Sequence, residues 1–169
     1  HKDKIYIPGN HNLENALAAS LMAYCLGVEP RVIGDTLQSF RGVEHRIEFV
    51  EEIKEVVYYN DSKGTNIDAS IKAVEAMSRP TVIIAGGYDK GAEFDAFIEA
   101  FDGKIKHMVL IGETADKLEK TAHEHGFWNT HRASDLRLAV QKCSELAEAG
   151  DAVLLSPACA SWGMFSDFE

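Results

Sequence analysis

The chain has few prolines and few cysteines, four and three in 169 residues, and no apolar run near the roughly 20 residues that a membrane-spanning helix needs. Cys25, Cys143 and Cys159 are odd in number and widely spaced. They supply neither a C-x-x-C pair nor a short Cys/His ladder, which argues against a zinc site or a disulfide framework and for reduced thiols in a cytoplasm. Positive charge is scarce too: 17 Lys and Arg stand against 27 Asp and Glu, a formal net charge of −10. Nucleic acid or an anionic membrane as main partner would call for a clustered basic face, and none is written here. The polar start His1-Lys2-Asp3-Lys4 resembles no signal peptide and reads as a cut within a longer protein.

What is present is enough apolar material, 46% of residues, to fill the core of one large domain or of one domain with an appendage. Leu13, Ala16, Leu21, Ala23, Tyr24 and Cys25 predict a largely buried helix over 12–26, with a second helix over 32–40. Strands are expected at 46–50 and 56–60 around a charged turn at 52–54, then at 81–85, 107–111, weakly at 127–129, and at 152–155. Helices are expected at 67–77, 94–101, 114–123 and 133–149. Alternating strands and helices predict an α/β, Rossmann-like, mostly parallel sheet with helices on both faces. The boundary is placed so that residues 1–42 form a helical piece too small to be a domain and residues 43–169 an ordinary α/β domain.

Three loops stand where such a sheet presents ligands, beyond the carboxyl ends of its strands. In Asn60-Asp61-Ser62-Lys63-Gly64-Thr65-Asn66 a strand end meets a helix start. Thr65 or Asn66 is a natural cap, nearby free N–H groups favour an anion, and Lys63 adds a full charge. The same residues would serve equally well as cap and turn alone. Gly86-Gly87-Tyr88-Asp89-Lys90-Gly91 lacks the spacing of the phosphate loop G-x-x-x-x-G-K-[ST]. It is either a solvated turn or a place of close ligand approach, with Lys90 holding a carboxylate and Asp89 orienting the lysine.

Ser156-Pro157-Ala158-Cys159-Ala160-Ser161-Trp162 offers hydroxyls on a backbone kept open by small residues. Cys159 reads as a buried, inert thiol, since no spacing identifies a base to activate it. His45-Arg46 could meet phosphates or a base, and Asn12 and Asn15 share a helix face that could meet an adenine edge. Surface pairs and caps look the same. His123 and His125 lack a third ligand and read as surface histidines; no metal site is expected.

Taken in order, Gly9-Asn10-His11-Asn12 with Asn15-Ala16, then His45-Arg46, NDSKGTN, GGYDKG and SPACASWGMF resemble the Mur ligase family over nearly the whole chain. Within the family, SPACAS and the absence of a D-N-P-R signature favour D-glutamate as the amino acid added. The resemblance implies an ATP-dependent ligase of cell-wall precursor synthesis. In it the carboxylate of UDP-N-acetylmuramoyl-L-alanine takes the γ-phosphoryl group, and the amine of D-glutamate attacks the acyl phosphate.

By motif position the resemblance assigns Asn12, Asn15, His45, Arg46 and Asp61 to ATP. It assigns Lys63, Thr65, Lys90, Ser161, Trp162 and Phe168 to D-glutamate, with Lys63 the catalytic candidate. These groups would position substrates and stabilise charge. The phosphate loop and the Mg2+ ligands are expected in a central domain of which residues 1–42 are only the final helices, so the chain alone is expected to be inactive. A monomer is expected, with small molecules as partners.

The chain stops short of the R-G turn that follows the last motif in the family, so the domain's last helices are expected to be missing. Gly163 replaces a frequent Asp, which leaves that carboxylate's role unfilled, and Gly64 stands where alanine is common. A folylpolyglutamate synthase, which would take L-glutamate, is the rival within the superfamily. A receiver-like binding module would need an acidic pair after its first strand and an Asp after its third, which these loops do not supply.

Overall fold

The computed structural model describes residues 5–162 and 164. Two helices come first, α1 (Asn10–Cys25) and α2 (Pro30–Ser39), the second opened by Pro30, whose fixed φ suits a first helical turn. A hairpin follows, β1 (Glu48–Ile53) and β2 (Val56–Asn60), then α3 (Ile67–Ala76), β3 (Thr81–Ala85), α4 (Asp95–Glu99), β4 (Ile105–Leu110), α5 (Ala115–Glu124), β5 (Thr130–Arg132), α6 (Leu136–Leu146) and β6 (Ala152–Leu155). The six strands form one sheet in the order β1-β2-β6-β3-β4-β5. All neighbours are parallel except β1 against β2.

Strand alternation divides the interior into two cores. Ile83, Met108, Leu110 and Leu154 face Val74 of α3, Phe97 of α4 and Leu118 of α5. Val82, Ile84, Val109 and Val153 face Ala139 and Cys143 of α6 on the other side. β3 lies at the centre, buried along its whole length, which is why 81–85 reads as an unbroken apolar run. Asn66 caps α3 by accepting from the Ala69 N–H at 2.9 Å, and Asp135 caps α6 by accepting from the Leu138 N–H at 2.8 Å.

Four expectations need correction. The helix over 12–26 is not largely buried: of α1 only Ala16 is buried, while Leu17, Leu21, Met22 and Tyr24 are exposed. The sheet faces are already covered by α3–α6, and α1 packs against α2 instead. The first strand runs 48–53 rather than 46–50, because Ile47, at φ 45°, is not extended. The weak strand lies at 130–132 rather than 127–129. Phe127, whose apolar character suggested the earlier position, packs edge-on against Phe101 at 5.1 Å, and the ladder to β4 starts at Thr130. Finally, α6 begins after its Asp135 cap rather than at 133.

The hairpin turn consists of two residues, Lys54 and Glu55, at φ 51° and 65°, between the paired Ile53 and Val56. Positive φ at both central positions is the type I′ geometry, which matches the strand twist but favours Asn-Gly over the long side chains found here.

Candidate functional site

The three loops meet at the carboxyl ends of β2, β3 and β6, and buried polar groups tie them together. Asp61, 4% exposed, accepts from the Ile47 N–H at 3.2 Å with one oxygen and from the Ser156 hydroxyl at 2.7 Å with the other. Ser156 also meets the Ser70 hydroxyl at 2.8 Å. Ser70, on the inner face of α3, reaches the Gly64 carbonyl at 3.1 Å and accepts from the Ala158 N–H at 3.0 Å. One buried chain of hydroxyls therefore joins the segment at 45–47, the loop at 60–66 and the loop at 156–162. Burial pushes the Asp61 carboxyl up, against hydrogen bonds from Ser156 and Ile47 and the Arg46 charge, which pull it down.

The entry segment is strained, with His45 at φ 66° and Ile47 at φ 45°. Such backbone persists only where the surroundings over-determine it. Here the His45 N–H donates to Glu48 at 2.9 Å, its carbonyl accepts from the Lys63 N–H at 3.1 Å, and its ring Nδ1 lies 3.0 Å from Asn60 Nδ2.

The glycine-rich loop abuts its neighbours backbone to backbone. A Cβ on Gly86 would lie 2.1 Å from the Ile111 carbonyl oxygen, and one on Gly87 2.4 Å from that of Ala160, so neither position has room for a side chain. The Tyr88 N–H donates to the Ala160 carbonyl at 2.8 Å, and the buried Thr114 hydroxyl accepts from the Gly87 N–H at 3.0 Å. Asp89 caps its own turn, accepting from the Gly91 N–H at 2.7 Å, and is not found paired with Lys90.

Two recesses open above this framework. One, of about 400 Å³, is bordered by His45, Lys63, Thr65 and Ser161 and floored by Leu155 and Pro157. The other, of about 250 Å³, lies over the start of α3 and is bordered by Thr65, Asn66, Tyr88 and Lys90. Thr65 and Cys159 belong to both. Free N–H groups at the start of α3, a hydroxyl and a lysine together suit a carboxylate. Burial raises the Cys159 thiol more than its contact with the Thr114 hydroxyl, at 3.4 Å, lowers it, the opposite of what a nucleophilic thiolate requires.

The structure thus brings together His45, Lys63, Thr65, Lys90 and Ser161, with Trp162 against Lys90. Arg46 is exposed beside them, Asp61 is buried beneath them, and Asn12 and Asn15 on α1 line neither recess. Phe168 and Gly163 lie outside the described residues. Ser70 and Thr114 escaped the sequence reading. The only signal was a polar residue on the apolar face of α3 for the first, and none for the second.

Elsewhere, His123 stacks on Trp128 at 4.5 Å and His125 pairs with Asp95 at 2.9 Å. Among the described residues, no group of three or more His, Cys, Asp or Glu side chains could hold a metal ion, and no helix is long and apolar enough to cross a membrane.

Comparison with known proteins fits this geometry. Residues 45–159 match the family described as "Mur ligase, glutamate ligase domain". The chain is 59% identical over 169 residues to the "UDP-N-acetylmuramoylalanine--D-glutamate ligase" of Thermoanaerobacter sp. (strain X514), covering 99% of this chain and 37% of that protein. The protein of the same name from Clostridioides difficile (strain 630) is 48% identical, with 100% and 38% covered. The chain therefore spans little more than a third of the length of these relatives.

Among solved structures, the UDP-N-acetylmuramate-alanine ligase of Thermotoga maritima superposes with a TM-score of 0.74 at 18% identity, over 91% of this chain and 36% of that one. A Mycobacterium tuberculosis folylpolyglutamate synthase complexed with ADP gives 0.72 at 14% identity, over 91% and 39%. At such identities the likeness is one of fold.

Proposed function

Since this chain belongs to the Mur ligase family, whose glutamate ligase domain it carries, we propose that it is the C-terminal part of an ATP-dependent ligase that adds D-glutamate to UDP-N-acetylmuramoyl-L-alanine in the cytoplasm. The observation that carries the proposal is the convergence of Thr65, Lys90 and Ser161 at two adjoining recesses, in a chain 48% to 59% identical to relatives of that name. D-glutamate has two carboxylates. A lysine, two hydroxyls and the start of a helix are the donors that such a ligand needs.

In this reading Thr65, Lys90 and Ser161 bind and orient D-glutamate. Lys63 stands between the amino acid and the phosphates, where it offsets charge as the acyl phosphate is formed and consumed. His45 and Arg46 serve the ATP side, and Asn12 and Asn15 the adenine. Asp61 serves ATP through the strained segment that it holds, its oxygens being engaged by Ile47 and Ser156. Magnesium would neutralise the phosphates when bound. In this reading its ligands belong to the central ATPase domain.

Residues 1–42 are read as the helical end of the preceding ATPase domain, and residues 43–169 as the amino-acid-binding domain. The exposed Leu17, Leu21, Met22 and Tyr24 of α1 support that division, since a helix of the α/β domain itself would bury such a face.

The test is an NMR titration of the labelled chain with D-glutamate, L-glutamate and D-aspartate. Amide shifts at Thr65, Lys90 and Ser161 with D-glutamate alone are the expected result. Saturation by L-glutamate instead would move the assignment to a folylpolyglutamate-type ligase. Shifts elsewhere, or none at tens of millimolar, would remove the carboxylate site from these loops.

A further inference from the structure

Lys90 ends a flexible four-carbon stem, and fixing such a side chain on a ligand costs rotamer freedom. Among the described residues no carboxylate pairs with its ammonium. What Nζ faces is the indole of Trp162, 4.8 Å from the ring centroid. Trp162 is in turn propped by Tyr88, with centroids 5.3 Å apart and planes tilted by 47°. Tyr88 is fixed from below by its bridge to Ala160. The two rings are 63% and 41% exposed, so they do not fill a core. Tyr88 and Lys90 border the recess over α3, and Trp162 leans on both from outside its lining.

We propose that Trp162 is a positioning residue: its ring face holds the Lys90 ammonium at the rim of the amino-acid recess, so that an arriving carboxylate meets an oriented cation. The negative face of an indole attracts an ammonium, and the contact occupies one side of a group with three N–H donors, leaving donors for the ligand. Tyr88 keeps the indole from swinging away. This gives Trp162 a role through Lys90 rather than through the substrate. For its ligand the inference rests on the D-glutamate reading above, whereas the lysine–indole contact belongs to the unliganded chain.

The test has an unliganded and a liganded arm. In the unliganded chain, the side-chain methylene protons of Lys90 nearest Nζ should be shifted upfield by the indole ring. The shift should vanish in Trp162→Leu and largely persist in Trp162→Phe. An unshifted Lys90 in the wild-type chain overturns the inference. In the liganded arm, an exposed contact of this kind weighs about two- to five-fold in population.

Trp162→Leu should therefore weaken D-glutamate binding by about that factor, Trp162→Phe should recover most of it, and in a Lys90→Met background Trp162→Leu should add nothing. An equal loss with and without Lys90 would mean that the indole touches the substrate itself, which refutes a role through the lysine. Absence of D-glutamate binding with the upfield shift intact would overturn the substrate reading alone and leave the oriented lysine standing.

Discussion

Replacing Asp61 with alanine isolates the tie between the segment at 45–47 and the loops at 60–66 and 156–162. The substitution deletes the acceptors of the Ile47 N–H and the Ser156 hydroxyl, both buried. Ser156 keeps Ser70 as a neighbour, whereas the Ile47 N–H loses its acceptor. A buried donor left unsatisfied costs about 1–3 kcal/mol, and a lost neutral bond about 1 kcal/mol more. The strain at His45 and Ile47 then loses one of its restraints. The expected destabilisation is about 2–4 kcal/mol, read as a fall in the urea midpoint at unchanged slope.

Asp61→Asn should behave differently. An amide can still accept from Ile47 and can donate to Ser156, which then donates to Ser70. The pH dependence separates the two states of the wild-type carboxyl. Burial raises its folded value above the unfolded one, so between those values the folded state holds the extra proton. The carboxyl's stabilising contribution is therefore greatest at acid pH and declines as pH rises through that window. Asp61→Asn should lack this decline and gain on the wild type as pH rises above the ordinary carboxylate value. A cost below about 0.5 kcal/mol for the alanine variant, the usual range for a surface change, would refute the tie. So would an asparagine variant that loses ground as pH rises.

Other consequences can be measured separately. Changing Lys54-Glu55 to Asn-Gly should stabilise the chain by about 1–2 kcal/mol, because both residues hold positive φ that costs an ordinary side chain about that much; calorimetry would report it. His107 and His131, 3.2 Å apart, are both held below the ordinary imidazole value, chiefly by burial. The unfolded chain therefore binds more protons, and their contribution is present above pH 6.5 and lost as pH falls below it. His131→Gln should flatten the acid limb of a stability–pH curve. Gly87→Ala forces backbone apart at the Ala160 carbonyl and should cost about 2–4 kcal/mol and abolish D-glutamate shifts. If the longer protein is the ligase proposed above, Cys159→Ala in it should leave turnover within a few-fold, since the thiol is buried and raised; a loss of several orders of magnitude would mark it as a nucleophile.

The parts of the fold legible in the sequence were those with local causes. β2, β3 and β6 lie where their apolar runs and flanking turn residues placed them; β3, buried along its whole length between parallel neighbours, has no choice of face. β5 was misplaced because Phe127 signals burial, and burial in an edge-to-face aromatic contact looks the same in one dimension as burial in a strand. The exposure of α1 was illegible for a related reason: periodicity reveals an apolar face but not what covers it. At the site, the loops could be read from their small and polar residues. Ser70 and Thr114 could not, because their importance comes from groups 86 and 27 residues away in the chain.

The chain enters the sheet through a short strap, His45 to Ile47, with a backbone link to Lys63 and a side-chain link to Asp61. In mechanical terms this strap is a tie-rod. It runs directly into β1 at Glu48 and is fastened to the loop at 60–66 by links of 3.1 and 3.2 Å, so a displacement of the helices before it would load that loop as well as the first strand. Ser156 and Ser70 then carry the load across to the loop at 156–162. The two recesses therefore share one support and would widen or narrow together when that rod is pulled.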